Sequence, residues 1–163
     1  MVRSLDLSTR LQQAWQEWTE AVAGLNDHDY DSPNVYPHWN LKDVMGHVFS
    51  YQLLMLKHVQ AYLKRKRLAS PRAQSYAYYN RREAARLKSV SLAQLRDDMN
   101  ETHSTLIELL PTLTSAAMKQ QFPAQWTNSH YHTTLRYLLR ETAEHMRNHA
   151  SDVKVWRARQ DSS

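Results

Sequence analysis

The 163-residue chain contains no cysteine, which excludes disulfides, thiolate metal sites and a thiol nucleophile of its own. Any thiol chemistry must use a thiol brought in from outside. Glycine is scarce (2) and proline modest (5), beside abundant Leu, Ala, Gln, Glu and Arg, and this balance favours helices joined by a few ordered loops. Alternating strand patterns are absent, and no apolar run approaches the length of a membrane span. No basic, apolar leader opens the chain, so the expectation is a soluble, cytoplasmic protein with no membrane partner. The length suits one domain, residues 1–163, and is short for two.

What the chain does have is a local excess of positive charge. Residues 64–88 hold nine Lys or Arg (64, 65, 66, 67, 72, 81, 82, 86 and 88) against one acid, Glu83, while the whole chain is only +5. The remainder is therefore net acidic. A nucleic-acid partner would use such a segment, but neither a recognition-helix pattern nor a zinc finger accompanies it, so nucleic acid is the weaker reading. A solvated helix end is the plain alternative.

Four long helical patterns follow. The first, about residues 8–25, carries Leu7, Leu11, Ala14, Trp15, Trp18, Ala21, Val22 and Leu25 on one stripe. After the polar stretch NDHDYDSPNVYPHW, the second is announced by Asn40 and Asp43, a capping pair, and runs to the basic residues near 64–67. Residues 68–89 make a long connection with a short helix across Tyr76 to Leu87. The third begins at Ser91-x-x-Gln94 and should stop at Pro111; the loop QQFPAQWTNSHYH precedes the fourth, residues 133–157. The expected class is all-α: an up-down-down-up four-helix bundle with a short extra helix in the crossover between helices two and three.

On the last helix, His145 and His149 are four apart, beside a dry seam of Leu139, Ala143, Met146, Ala150 and Val153. That spacing puts both rings on one face, about 6 Å apart at Cβ, close enough to share one ion. His47 lies seven residues past Asn40, about 10 Å into helix two, and His149 lies about 12 Å before the end of helix four. Antiparallel packing of those helices brings all three to one level. The alternative is a pair of core-edge histidines bonded to Thr102, Asp43 or backbone groups. Asp43, Glu144 and Asp152 are the carboxylates placed to orient the rings. His103 shares a face with Met99 and Leu106 and reads as an interior histidine; His58, roughly 16 Å from His47 along the axis, is too far to join. His28, His38, His130 and His132 fall in loops. Tyr76, Tyr78, Tyr79 and Asn80 are candidates for a cleft mouth, although packing of the short helix explains the tyrosines equally well. Trp39 and Trp126 sit at loop–helix junctions as possible lids.

The run Trp39-Asn40-Leu41-Lys42-Asp43-Val44-Met45-Gly46-His47-Val48 resembles the W-[ST]-x-K-D-x-x-x-H segment that opens helix two in the DinB-like superfamily. His145-x-x-x-His149 is similar to its final-helix pair. Asn80, SLAQL and EHMRNHASDVKVW resemble the branch containing the DfsB and colibactin self-protection proteins. The resemblance implies an up-down-down-up bundle, often a homodimer, whose cleft holds a divalent metal (Zn, Ni, Mn or Fe) on three histidines, mapping to His47, His145 and His149. It implies an enzyme that uses water or a low-molecular-weight thiol against a small electrophilic substrate, as a hydrolase or S-transferase in detoxification or self-protection. Asn80, Tyr79, Trp39 and Arg82 are the candidate substrate contacts, with Arg82 suited to a carboxylated thiol or acidic substrate. Asp43 and Asp152 are the candidate supports behind the histidines. A metal-free protein that binds and sequesters the toxic molecule is the alternative.

Overall fold

Helix starts are where the sequence replaces missing backbone partners most visibly. Asn40 accepts from the Asp43 amide at 2.8 Å while its own amide donates to the Asp43 carboxylate at 3.0 Å, a reciprocal cap that opens the helix Leu41–Arg65. Ser75 and Ser91 cap Tyr76–Leu87 and Leu92–Leu109 from one side, their hydroxyls accepting from the Tyr78 and Gln94 amides. The computed structural model describes residues 2–32, 35–65, 75–123, 132–160 and 162. In chain order the elements are α1 (Val2–Val22), α2 (Asp27–Asp31), α3 (Leu41–Arg65), α4 (Tyr76–Leu87), α5 (Leu92–Leu109), a 3-10 turn (Leu110–Thr112), α6 (Ser115–Lys119), β1 (Gln121–Pro123), β2 (His132–Thr134) and α7 (Leu135–Gln160).

The chain is predominantly helical, and Pro111 ends α5 as its missing amide requires. Three details depart from the sequence reading. The polar stretch after α1 contains one helical turn, α2, closed by the capping box of Asn26 and Asp29 and anchored by buried Tyr30. A second short helix, α6, is capped by Thr114. Strands β1 and β2 pair antiparallel, Gln121 with Thr134 and Pro123 with His132, so the chain is not purely helical and His132 sits in a strand. Three-residue strands are too short to show a period of two.

Packing follows the apolar stripes. α1 lies along α7, α3 contacts both α5 and α7, and α4 rests on α3. Cross-links show the directions. Arg147 reaches Gln13 and Glu17, Lys154 reaches Glu20, and Arg157 donates to the Ala21 carbonyl at 2.7 Å, so α1 and α7 run the same way. Arg157 thereby places a cation on the negative end of α1. α3 and α7 run oppositely: the His47 ring meets His149, while Tyr51 meets His145. Leu139, Ala143, Met146 and Val153 are fully buried along α7. Losing one such large side chain typically costs about 2–5 kcal/mol.

Both glycines have a reason. Gly24, at φ 75°, turns the chain out of α1 in the left-handed region, which costs other residues about 1–2 kcal/mol. Gly46 lets α4 approach α3: a Cβ there would sit 3.2 Å from Leu87 Cδ1.

Two core histidines are neutral because burial penalises their charge. His58 and His103 are each pushed down to about 4, and His103 stacks on Trp15 at 4.3 Å. Between pH 6.5 and 4 the unfolded chain binds the protons that these folded rings refuse. Their contribution, on the order of 3 kcal/mol apiece, is full above pH 6.5 and lost as pH falls through 4. Urea midpoints should therefore fall steeply between pH 6.5 and 4, and His103→Asn should flatten that slope; an unchanged slope would contradict the assignment.

Candidate functional site

Three imidazoles meet between α3 and α7. His145 Nε2 lies 2.9 Å from His47 Nε2 and 3.1 Å from His149 Nε2, and the ring centroids are 4.6–5.0 Å apart. A four-residue step on α7 supplies two of these rings, and the antiparallel α3 supplies the third at the same height. Each is half-buried. Burial, then the neighbouring His149, pushes His47 down to about 4; burial, then His149 and His47, pushes His145 down to about 3. His149 is also lowered, by burial first, with Asp152 opposing. At neutral pH the three rings are uncharged, with nitrogens facing one another. Each neutral ring has one N–H and one bare nitrogen, so which nitrogen donates across these two short contacts depends on the tautomers. Nitrogens bound to one ion at about 2.0–2.1 Å sit roughly 3 Å apart; two of these contacts match that spacing and all three ligand atoms lie within 4.8 Å of one another, so the set could hold a metal ion.

One turn before α3 supplies two aromatic neighbours. Tyr36 and Trp39 form a two-bond bridge around Pro37-His38, with Trp39 N–H donating to the Tyr36 carbonyl at 3.2 Å and Tyr36 N–H returning at 3.3 Å. Pro37 occupies the turn position its fixed φ favours. The Trp39 ring packs on His47 at 4.8 Å and the Tyr36 ring stands edge-on to His149 at 5.8 Å. The Tyr36 hydroxyl bonds His149 Nδ1 at 2.8 Å and also the Asp152 carboxylate. Burial and that carboxylate raise the Tyr36 pKa, so the phenol keeps its proton. Nothing in the spacing of Tyr36 marks it in the sequence; its sole local signal is the Tyr-Pro-x-Trp turn directly before a helix cap.

With the site in view, comparisons place the chain. The sequence profile of the DinB superfamily matches residues 10–153. The chain belongs to the DinB superfamily. Metal-binding enzymes occur in this superfamily. Among solved structures, the chain is similar to one described as the sibling lethal factor precursor DfsB, with TM-score 0.76, 14% identity, and 96% of each chain covered. It is similar to an uncharacterised protein from Clostridium difficile 630, with TM-score 0.77, 8% identity and 95% of each chain covered. An uncharacterised protein from Escherichia coli UTI89 matches with TM-score 0.76 at 10% identity, over 97% of this chain and 94% of that one. At these identities the likeness shows the fold alone. A search of curated proteins finds no match.

In this DinB chain a cleft of about 280 Å³ opens beside His47, with Trp39, Asn40, Lys42, Asp43, Gly46, Ser50, Asn80, Glu83, Leu87 and Lys88 among its walls. Asn80 is fixed there by Tyr51, whose hydroxyl donates to its Oδ1 at 2.9 Å. The amide –NH2 is thereby the end left for a visitor. Tyr51 also packs on His145 and His47, at 4.6 and 5.0 Å, and was not singled out as a site residue from sequence. Tyr79 is buried beside Tyr51 and its hydroxyl donates to the Ser50 carbonyl, so it supports the wall from behind. Arg82 pairs with Glu83 at 3.1 Å, and Arg86 pairs with the same carboxylate at 2.7 Å. Neither arginine is among the cleft walls, and Glu83 tempers the charge of the basic segment. Asp43 is engaged in the cap of α3, whereas Asp152 reaches His149 through Tyr36. Glu144 pairs with Arg147. Lys66, Arg67, Arg72, Trp126 and His130 lie outside the described residues. No described helix is long and apolar enough to cross a membrane.

Gly46 joins cleft and packing. Gly46→Leu should force α4 from α3, lower stability by about 1–3 kcal/mol in urea unfolding and narrow the cleft. Wild-type stability in this variant would show that the α3–α4 contact yields freely.

Proposed function

We propose that this protein is a metal-dependent enzyme that activates water or a low-molecular-weight thiol for attack on, or transfer to, a small electrophilic molecule. The supporting observation is the convergence of three neutral imidazole nitrogens, one of whose rings, His47, lines a cleft. His47, His145 and His149 would hold the ion, and Zn, Ni, Mn or Fe all accept imidazole. When bound, the ion lowers the pKa of a coordinated water or thiol toward neutrality and polarises the electrophile. A thiol, if used, comes from outside, since the chain has no cysteine.

The chain's own residues do the rest. Trp39 and Tyr51 pack around the imidazoles and limit water at their edges. Asn80, with its oxygen taken by Tyr51, offers amide hydrogens to an acceptor atom on the substrate. Lys42 and Lys88 line the cleft beside the carboxylates of Asp31, Asp43 and Glu83, so its walls carry both signs of charge. The proposal includes one domain over residues 1–163 in up-down-down-up order, supported by the parallel α1–α7 and antiparallel α3–α7 contacts. It also includes a homodimer, which rests on the family resemblance, and a cytoplasmic location, which rests on the sequence expectation.

Elemental analysis of protein purified without an affinity tag should find about one equivalent of a divalent metal. His149→Ala should abolish that uptake while leaving most helicity by circular dichroism. A variant that retains one equivalent would overturn the ligand assignment, and metal-free wild type that still protects against an electrophile would favour sequestration. Light scattering should give twice the mass of one chain; a monomer would remove the dimer from the proposal.

A further inference from the structure

The Asp152 carboxylate lies 4.0 Å from His149 Nδ1, too far for a direct hydrogen bond, and the Tyr36 hydroxyl bridges the gap by touching both groups. A phenol has one proton, and an ionised carboxylate can only accept. The Tyr36 O–H therefore donates to Asp152, and its oxygen is left to accept from His149 Nδ1–H. A neutral imidazole carries a single N–H, so this order leaves His149 Nε2 bare, and Nε2 is the atom 3.1 Å from His145 Nε2. We propose that Tyr36 and Asp152 form a positioning relay that selects the tautomer of His149, with the carboxylate setting the direction of the relay. The relay rests on the reading of the three histidines as a metal site, because a metal ligand must present a lone pair.

The relay makes the two removals unequal. Without the Tyr36 hydroxyl, Nδ1 loses its partner and the ring populates both tautomers. Without the carboxylate, the Tyr36 O–H is free to turn and donate to Nδ1, and the ring proton moves to Nε2, where it faces the other imidazoles. Loss of Asp152, which is about half exposed (48 %), thus does more harm than loss of the half-buried hydroxyl that touches the ring. Removing the hydroxyl as well should relieve it. A purely packing role for Tyr36 makes the opposite ranking and additive losses.

Long-range proton–nitrogen NMR of the metal-free full chain reads the His149 tautomer directly, in wild type, Tyr36→Phe, Asp152→Ala and the double variant. We expect Nδ1–H in wild type, Nε2–H in Asp152→Ala, and a mixture in the other two. In calorimetric Zn²⁺ titrations, Asp152→Ala should lose about 10–100-fold in affinity. Tyr36→Phe should lose less, with the double variant matching Tyr36→Phe. One tautomer in all four proteins, or additive affinity losses, would overturn the relay. If wild type binds no Zn²⁺, Ni²⁺ or Mn²⁺, the metal reading fails by itself, while the metal-free spectra still decide for or against the relay. Circular dichroism of each variant separates a lost fold from a changed tautomer.

Discussion

Three uncharged imidazoles pressed nitrogen to nitrogen in a half-buried seam are the arrangement on which the rest of this molecule depends. Polar atoms removed from water need partners, and these nitrogens find them in one another or in a shared ion. The helices must therefore be held at one relative height for the group to exist at all. Met146 and Ala150, each next to one of the two histidines, bury the core side of α7. The surface links from Arg147, Lys154 and Arg157 to α1 hold α7 lengthwise. A slide by one helical turn, about 5.4 Å, would separate the rings of α3 and α7.

The segment before α3 gives the site two unlike sides. A single turn around Pro37 sets Tyr36 against His149 and Trp39 against His47, and the same stretch of chain continues into the cap that starts α3. On the His149 side, the Tyr36 hydroxyl and Asp152 bond the ring from behind. On the His47 side, the cleft runs toward Ser50 and Asn80, and Gly46 allows α4 close enough to wall it. Support thus comes at His149 and access at His47, which suits a site that must hold its ligands rigid while admitting a small molecule.

Much of this was legible because helices repeat. The stripe of α7, the reciprocal cap of Asn40 and Asp43, the short helix Tyr76–Leu87 and the stop at Pro111 all express local rules in which neighbours in sequence are neighbours in space. The level coincidence of residues 47, 145 and 149 followed from rise per residue once helices two and four were taken as antiparallel. Tyr36 and Tyr51 were not legible as site residues, because one lies in a stretch without periodicity and the other on a face that reads as ordinary core. The β1–β2 pair was too short for alternation to register.

By itself, the sequence determined which long segments are helices, which faces they bury and that three histidines occupy inward positions, since each depends on propensity and period along one segment. Only the tertiary structure decided that the Tyr36 hydroxyl stands between His149 and Asp152, that Arg82 pairs with Glu83, and that Asn80 is held by Tyr51. Those pairings join residues whose separation along the chain carries no energetic signal. Hydrogen-bond geometry selects partners within about 3 Å in space, and that distance exists only after the helices have packed.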